Sequence, residues 1–197
     1  MKIKVNRFLF LVMFFSLLSC AKDDKLKKAP LGCDSSNTVF NQLYTNLTNT
    51  SPNQNSITMD CETHSYTFEI TSSKTICKIG YQSLASFNQT PYLIELYDST
   101  SNTLLYSGNH TYSSTSTSYI SVTPITLVVG HSYTIRRTQT NWVGNIGNTI
   151  GRVVYSPTSS ITFPVTSGVL KITGSSFYGA GGPSYNWALP YIDIVFQ

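Results

Sequence analysis

The chain has 197 residues and a formal net charge of +4, although only 11% of its residues are charged. From Cys33 onward the basic residues are Lys74, Lys78, Arg136, Arg137, Arg152 and Lys171, and the acidic ones are Asp34, Asp60, Glu62, Glu69, Glu95, Asp98 and Asp193, so the positive excess belongs to the N-terminal segment. No basic stripe remains to follow a phosphate backbone, which argues against nucleic acid as a partner.

The N-terminus has the parts of an export signal. Lys2, Lys4 and Arg7 precede the apolar run Phe8–Leu18, whose eleven residues fall short of the ~20 that a spanning helix needs. Such a run at the extreme N-terminus reads as a secretory signal. It ends in Leu17-Leu18-Ser19-Cys20, which resembles the lipobox of bacterial lipoproteins. That resemblance implies a signal peptide over 1–19, cleavage before Cys20, and lipidation of Cys20 as the membrane anchor. Ala21-Lys22-Asp23-Asp24 resembles the surface-export signal of Bacteroidota lipoproteins, implying the outer membrane and exposure at the cell surface. Lys25, Lys27 and Lys28 continue the charge and Pro30-Leu31-Gly32 closes it, so residues 20–32 read as a flexible tether.

Residues 33–197 suit one domain with a sizeable core. Thirteen Tyr, ten Phe and abundant Thr, Ser, Val and Ile, with few Ala, Glu and Lys, favour strands. Cys33, Cys61 and Cys77 permit one disulfide in an oxidising compartment. Cys77 alternates with Ile79 and Tyr81 and is expected on a buried strand face, which makes Cys33–Cys61 the preferred pair while both other pairings stay open. Their spacing fits no zinc signature.

In chain order, Asn37–Leu47 carries Val39, Phe40, Leu43, Tyr44 and Leu47 on one side and is read as a short helix. Ser65–Thr71 sets Tyr66, Phe68 and Ile70 against Thr67, Glu69 and Thr71, the period of two that puts one strand face in a core. Further strands are expected at Thr75–Gln82, Tyr92–Asp98, Thr103–Tyr106, Ser118–Val122, Ile125–Val128, His131–Arg136, Arg152–Tyr155, Gly168–Thr173 and Tyr191–Phe196. Asp98–Asn102 reads as a turn in which Asp and Asn bond their own backbone, and Gly130 as a tight reversal needing positive φ. Short alternating strands with turn signals between them predict an all-β fold, a two-layer antiparallel β-sandwich of jelly-roll or Ig-like type.

Several strand motifs occur in order: Tyr66-Thr67-Phe68-Glu69-Ile70, Lys78-Ile79-Gly80-Tyr81, Ile94-Glu95-Leu96-Tyr97-Asp98 and Leu104-Leu105-Tyr106-Ser107. They lead to the run Pro124–Tyr133, the glycine-rich Gly179–Pro183 and finally Tyr191–Phe196. Together, over about residues 60–197, they resemble an uncharacterised bacterial family of secreted β-sandwich domains. The resemblance implies a fold and no catalytic residues.

Chemistry is sparse. His64, His110 and His131 fall in no metal-ligating pattern, and no cofactor or metal motif is present. Glu95 and Asp98 stand three apart on a strand, hence on opposite faces, and Asp60 and Glu62 read as solvated charges. No GxSxG elbow is found, and the glycine run precedes a strand rather than a helix. Asp98-Ser99-Thr100 resembles the O-glycosylation sequon of Bacteroidota. The aromatic residues Trp142, Tyr178, Tyr185 and Trp187 lie in or beside glycine-rich loops, where exposed rings next to Asn and Ser suit sugars or peptides; as plugs they would instead be buried. The expected function is a surface-displayed, non-catalytic binding or accessory lipoprotein with a glycan or protein ligand. The alternatives are a structural or adhesive envelope component, or a hydrolase with a loop-borne site drawn from Glu95, Asp98 or His110.

Overall fold

Alternation of apolar and polar residues becomes strand at almost every position where the sequence shows it, in a computed structural model that describes residues 32–57, 61–83, 90–145, 151–179 and 181–197. The signal segment, Cys20 and nearly all of the tether, like Asp60, lie outside the described residues. The elements are helix α1 (Val39–Thr48) and strands β1 (Gln54–Ile57), β2 (Thr63–Ile70), β3 (Lys74–Tyr81), β4 (Tyr92–Asp98), β5 (Thr103–His110), β6 (Ser118–Leu127) and β7 (Tyr133–Gln139). They continue with β8 (Arg152–Tyr155), β9 (Val165–Ser167), β10 (Leu170–Tyr178), β11 (Ser184–Tyr185), β12 (Ala188–Pro190) and β13 (Asp193–Phe196).

All pairings are antiparallel. A seven-stranded sheet runs β11-β10-β2-β7-β4-β5 with β9 paired to β10, and two three-stranded sheets run β13-β3-β6 and β1-β8-β12. The chain crosses from the large sheet to a small one at β2–β3 and β5–β6 and returns at β3–β4 and β6–β7, which makes an all-β sandwich. Its core is contiguous. Tyr66, Phe68 and Ile70 of β2, Ile94 and Leu96 of β4, Tyr133 and Ile135 of β7 and Ile172 of β10 pack with Ile76 and Ile79 of β3, Leu127 of β6 and Ile194 of β13. Tyr66 Oη donates across the layers to the Ile192 carbonyl at 2.7 Å.

Thr38 starts α1 by accepting the Asn41 N–H at 2.9 Å, satisfying a donor that a helix terminus otherwise leaves open. Phe40, Leu43 and Tyr44 are buried, with Phe40 stacked on Tyr66 at a centroid distance of 5.4 Å, so the helix packs against β8, β9 and β13. Gly130 adopts φ +87° in the reversal between β6 and β7, as its position predicts. The Asp98 turn also forms: its Oδ1 accepts the N–H groups of Thr100 at 3.0 Å and Ser101 at 3.1 Å.

Three expectations change. The segments 118–122 and 125–128 form one strand, β6, because a register shift against β3 carries the ladder past Pro124. The strand expected at 168–173 is part of a hairpin of β9 and the longer β10. The disulfide joins Cys33 to Cys77, with Cα atoms 6.0 Å apart, not Cys33 to Cys61. The physical reason is a bulge: the register of β3 slips between Ile76 and Lys78 against both β6 and β13. Ile76 and Ile79 therefore both reach the core, and Cys77 leaves the period-two pattern to meet the first segment, where Lys78 Nζ also donates to the Cys33 carbonyl at 3.0 Å. Closing a loop of 44 residues constrains the unfolded chain by roughly 4 kcal/mol. Cys61 is instead a buried thiol in a second small cluster with Val153, Phe177 and Ala188.

Candidate functional site

The outer face of the seven-stranded sheet is where open side chains collect. Inward positions of β2, β7, β4 and β10 are mostly apolar, with His64, Asp98 and Arg137 among the polar exceptions, so their neighbours point outward. Cross-strand register then aligns Tyr185, Ser176, Ser65, Arg136, Glu95 and Ser107 in one row over six strands. At the β11 end of this row is a groove of about 430 Å³ lined by Thr67, Thr173, Gly174, Ser175, Ser176, Tyr185 and Asn186. The bulge between Ile172 and Gly174 lies in its wall, with Thr173 and Gly174 among the lining residues. Asn186, at φ +56°, shapes its wall by accepting the Ser175 N–H on Oδ1 at 3.0 Å and donating its own N–H to the Ser175 carbonyl at 3.0 Å. Tyr185 stands on the rim, 67% exposed. Every lining side chain is uncharged, so the groove offers hydroxyl groups, an amide and a phenol.

Farther along the row, Arg136 donates to Glu95 Oε2 through Nε at 3.0 Å and Nη2 at 2.7 Å. Tyr97 Oη donates to Glu95 Oε1 at 2.8 Å and accepts from Arg136 Nη2 at 2.9 Å, while the guanidinium lies 5.0 Å from the Tyr97 ring centre. The hydrogen bond to Glu95 raises the Tyr97 phenol above its usual range. Lys171 pairs with Glu69 at 3.0 Å on the same face. The charges of this face thus cancel locally.

Of the four aromatic residues singled out in the sequence, the structure brings two to this face and sets one apart. Tyr178 follows Ser176 by two positions and is half exposed, so it shares the outer face with Tyr185. Trp187 turns the other way. It is half-buried, edge-on to Phe177 at 6.0 Å and stacked on Tyr155 at 5.6 Å, and it closes the small cluster around Cys61. Trp142 follows β7 at the sheet end where Tyr178 ends β10, and is half-buried behind Asn141 at φ +55°.

The carboxylates lie on opposite faces, as spacing predicts. Glu95 joins the outer row, while Asp98 points inward and accepts His131 Nδ1 at 2.6 Å. Burial raises the Asp98 carboxyl, but hydrogen bonds from His131 and Ser101 outweigh it and hold the group below its ordinary range. With Ser99 N–H donating to the Ser132 carbonyl at 2.8 Å, the pair locks the β4–β5 turn to the β6–β7 turn. His110 stacks on Tyr106 over Gly108 at the inner edge of β5, remote in register from Asp98 at the far end of the β4–β5 pair. The structure does not gather Glu95, Asp98 and His110 into one constellation. Among the described residues, no three His, Cys, Asp or Glu side chains are grouped to hold a metal ion.

Two buried polar centres went unmarked in the sequence. Arg137 is fully buried. Its Nε donates to Tyr81 Oη at 3.0 Å, Nη1 to the carbonyls of Cys61 and Glu62 at 3.3 Å, and Nη2 lies 3.0 Å from His64 Nδ1. The faces of Tyr92 and Tyr81 lie 5.1 and 5.6 Å from the guanidinium. Burial, then the Arg137 charge, pushes His64 well below its ordinary pKa, so it is neutral. The second centre is Asp193, fully buried, which accepts Thr38 Oγ1 at 2.8 and 2.9 Å and Tyr119 Oη at 2.8 Å. Desolvation pushes its pKa up to about 6 against these bonds. A carboxyl perturbed in this way is a candidate acid, but Asp193 is sealed from solvent and fastens the cap of α1 to β13. The signal for Arg137 was its parity, which shares the inward phase of Tyr133 and Ile135; Asp193 had no such signal, because alternation sets it opposite Ile192 and Ile194 and yet it is buried.

No protein-family model matches the chain, and comparison with curated proteins finds no relative.

Proposed function

We propose that this chain is a lipid-anchored, non-catalytic binding module of the bacterial outer membrane, displayed at the cell surface, that holds a neutral glycan chain in the Tyr185 groove. The observation that carries this reading is the groove lining, which combines an exposed phenol ring with hydroxyls and an amide and contains no charge. A pyranose ring presents an apolar face that stacks on an aromatic ring and a rim of hydroxyls that exchange hydrogen bonds with Ser, Thr and Asn side chains. A charged ligand would lose hydration here with no counter-charge in return. The local cancellation of Arg136 by Glu95 and of Lys171 by Glu69 extends this neutrality along the face. Placement at the surface rests on Leu17–Cys20 and Lys22-Asp23-Asp24.

Affinity electrophoresis of the full chain through gels containing neutral soluble polysaccharides tests the binding reading. Retardation by at least one neutral polymer, reduced tenfold or more in Tyr185→Ala with an unchanged melting temperature, is expected. No retardation by any of them, or retardation that survives Tyr185→Ala, defeats it. Fatty-acid labelling of wild type and Cys20→Ala, together with protease shaving of intact cells, tests the address separately.

A further inference from the structure

An end strand of a sheet presents a row of backbone N–H and C=O groups that can template another strand, and proteins blunt such edges with short strands, proline or charge. Most edges here are blunted. Strands β1 and β13 have four residues each, β9 and β12 three and β11 two, and β6 carries Pro124. Strand β5 is different. Among the described residues it is the terminal strand of the seven-stranded sheet, eight residues long, and it contains neither proline nor a charged side chain. Thr103, Leu104, Ser107 and Asn109 are exposed on it. Beyond the bulge opposite Leu96 and Tyr97, the segment Tyr106–His110 pairs in regular register with β4.

We propose that β5 is a self-association edge, on which a second copy of this chain lays its own β5 antiparallel about a two-fold axis through Gly108. A two-fold contact must be self-complementary, and this register is. Ser107 faces the partner's Asn109, Tyr106 faces the partner's His110, and the two glycines meet on the axis. Hydroxyl meets amide, the phenol and imidazole of Tyr106 and His110 are already bonded to each other within each chain and so leave no unmet group at the contact, and no like charges are opposed. Gly108 suits the axis for a further reason. The rings of Tyr106 and His110 are stacked within 9° over it, and a Cβ there would come within 2.8 Å of Tyr106 Oη. Joining the two edges would continue one seven-stranded sheet into the other. Pairing over five residues buries little area, so association is weak and depends on concentration.

Residues directly opposed across an antiparallel pair have Cβ atoms about 4.5–5.5 Å apart, near the reach of a disulfide. Full chains bearing Ser107→Cys and Asn109→Cys, mixed and mildly oxidised, should therefore form a covalent mixed dimer at least fivefold faster than either variant alone. Both positions are exposed, so the fold is undisturbed. Sedimentation of the wild type should show concentration-dependent dimerisation, weakened at least tenfold in Ser107→Lys/Asn109→Lys without a change in melting temperature. A wild type that is monomeric at every concentration, including one that captures unrelated extended peptides instead, overturns the proposal. So does a dimer indifferent to the two lysines, or cross-linking that is no faster in the mixture.

Discussion

Arg136 and Arg137 are adjacent on one strand and live in different solvents. Arg136 points outward, grips Glu95 with two nitrogen atoms and remains partly wet. Arg137 points inward, has no exposure, and is held by carbonyls, a phenol, a neutral histidine and two tyrosine faces. The same contrast separates Trp187, turned in to close a cluster, from Tyr185, turned out on the rim of a groove. What differs is the consequence of removing a group. On the inner face its partners are left desolvated, whereas on the outer face water replaces it.

The largest expected effect is therefore Arg137→Met, which takes a buried donor from the Tyr81 hydroxyl and from the carbonyls of Cys61 and Glu62, the last of which keeps the Gln139 N–H. It should cost about 1–3 kcal/mol for each polar group left short of a donor, read as a shift in the urea midpoint. A loss below about 1 kcal/mol would show that the interior tolerates those groups without the guanidinium.

Asp193 sharpens the comparison through pH. Its carboxyl titrates near 6 when folded against an ordinary value of 3.8, so between these values the folded chain binds more protons than the unfolded one. The stability from this group is full below pH 4 and is lost as pH rises through 6, by roughly 2–3 kcal/mol. His64 acts in the opposite sense: depressed when folded, it costs stability as pH falls below 6.5. The measurement that isolates Asp193 is the difference between wild type and Asp193→Asn, which should change by that amount from pH 4 to pH 7, to the disadvantage of the wild type. A pH-independent difference would mean the carboxyl is ordinary.

Trp187→Ala should cost about 2–3 kcal/mol, at or below the low end for large aromatics because the ring is half-buried. Tyr185→Ala should stay within about 0.5 kcal/mol of wild type, as exposed substitutions do. Equal losses from both would erase the distinction between plug and rim. Glu95→Gln should weaken the partly covered Arg136 pair by about 1 kcal/mol or less, detectable as a loss of its salt dependence in chemical denaturation.

Much of this was legible in the chain itself. Alternation in β2 and β7 marked which residues face the core, and the three-residue spacing of Glu95 and Asp98 placed them on opposite faces. The helix was readable from Phe40, Leu43 and Tyr44 on one side. The aromatic segments were recognisable as a group, but their directions were not. Whether Tyr185 or Trp187 turns outward depends on Asn186 adopting φ +56° between them, which no period encodes.

Local pattern thus determined the all-β class, the strands and the inward phase, because a side chain's face follows from the two-residue repeat of an extended backbone. Tertiary structure alone decided the rest. The bulge at Cys77 redirected the disulfide to Cys33, since one extra residue inverts the phase that alternation would assign. Register brought Thr67, Ser176 and Tyr185 together from distant segments, and it placed a buried arginine against carbonyls that lie more than seventy residues earlier in the chain. Groups separated this widely meet only when whole sheets pack, so beyond the inward parity of Arg137 neither the groove nor the buried centres have a local signature to read.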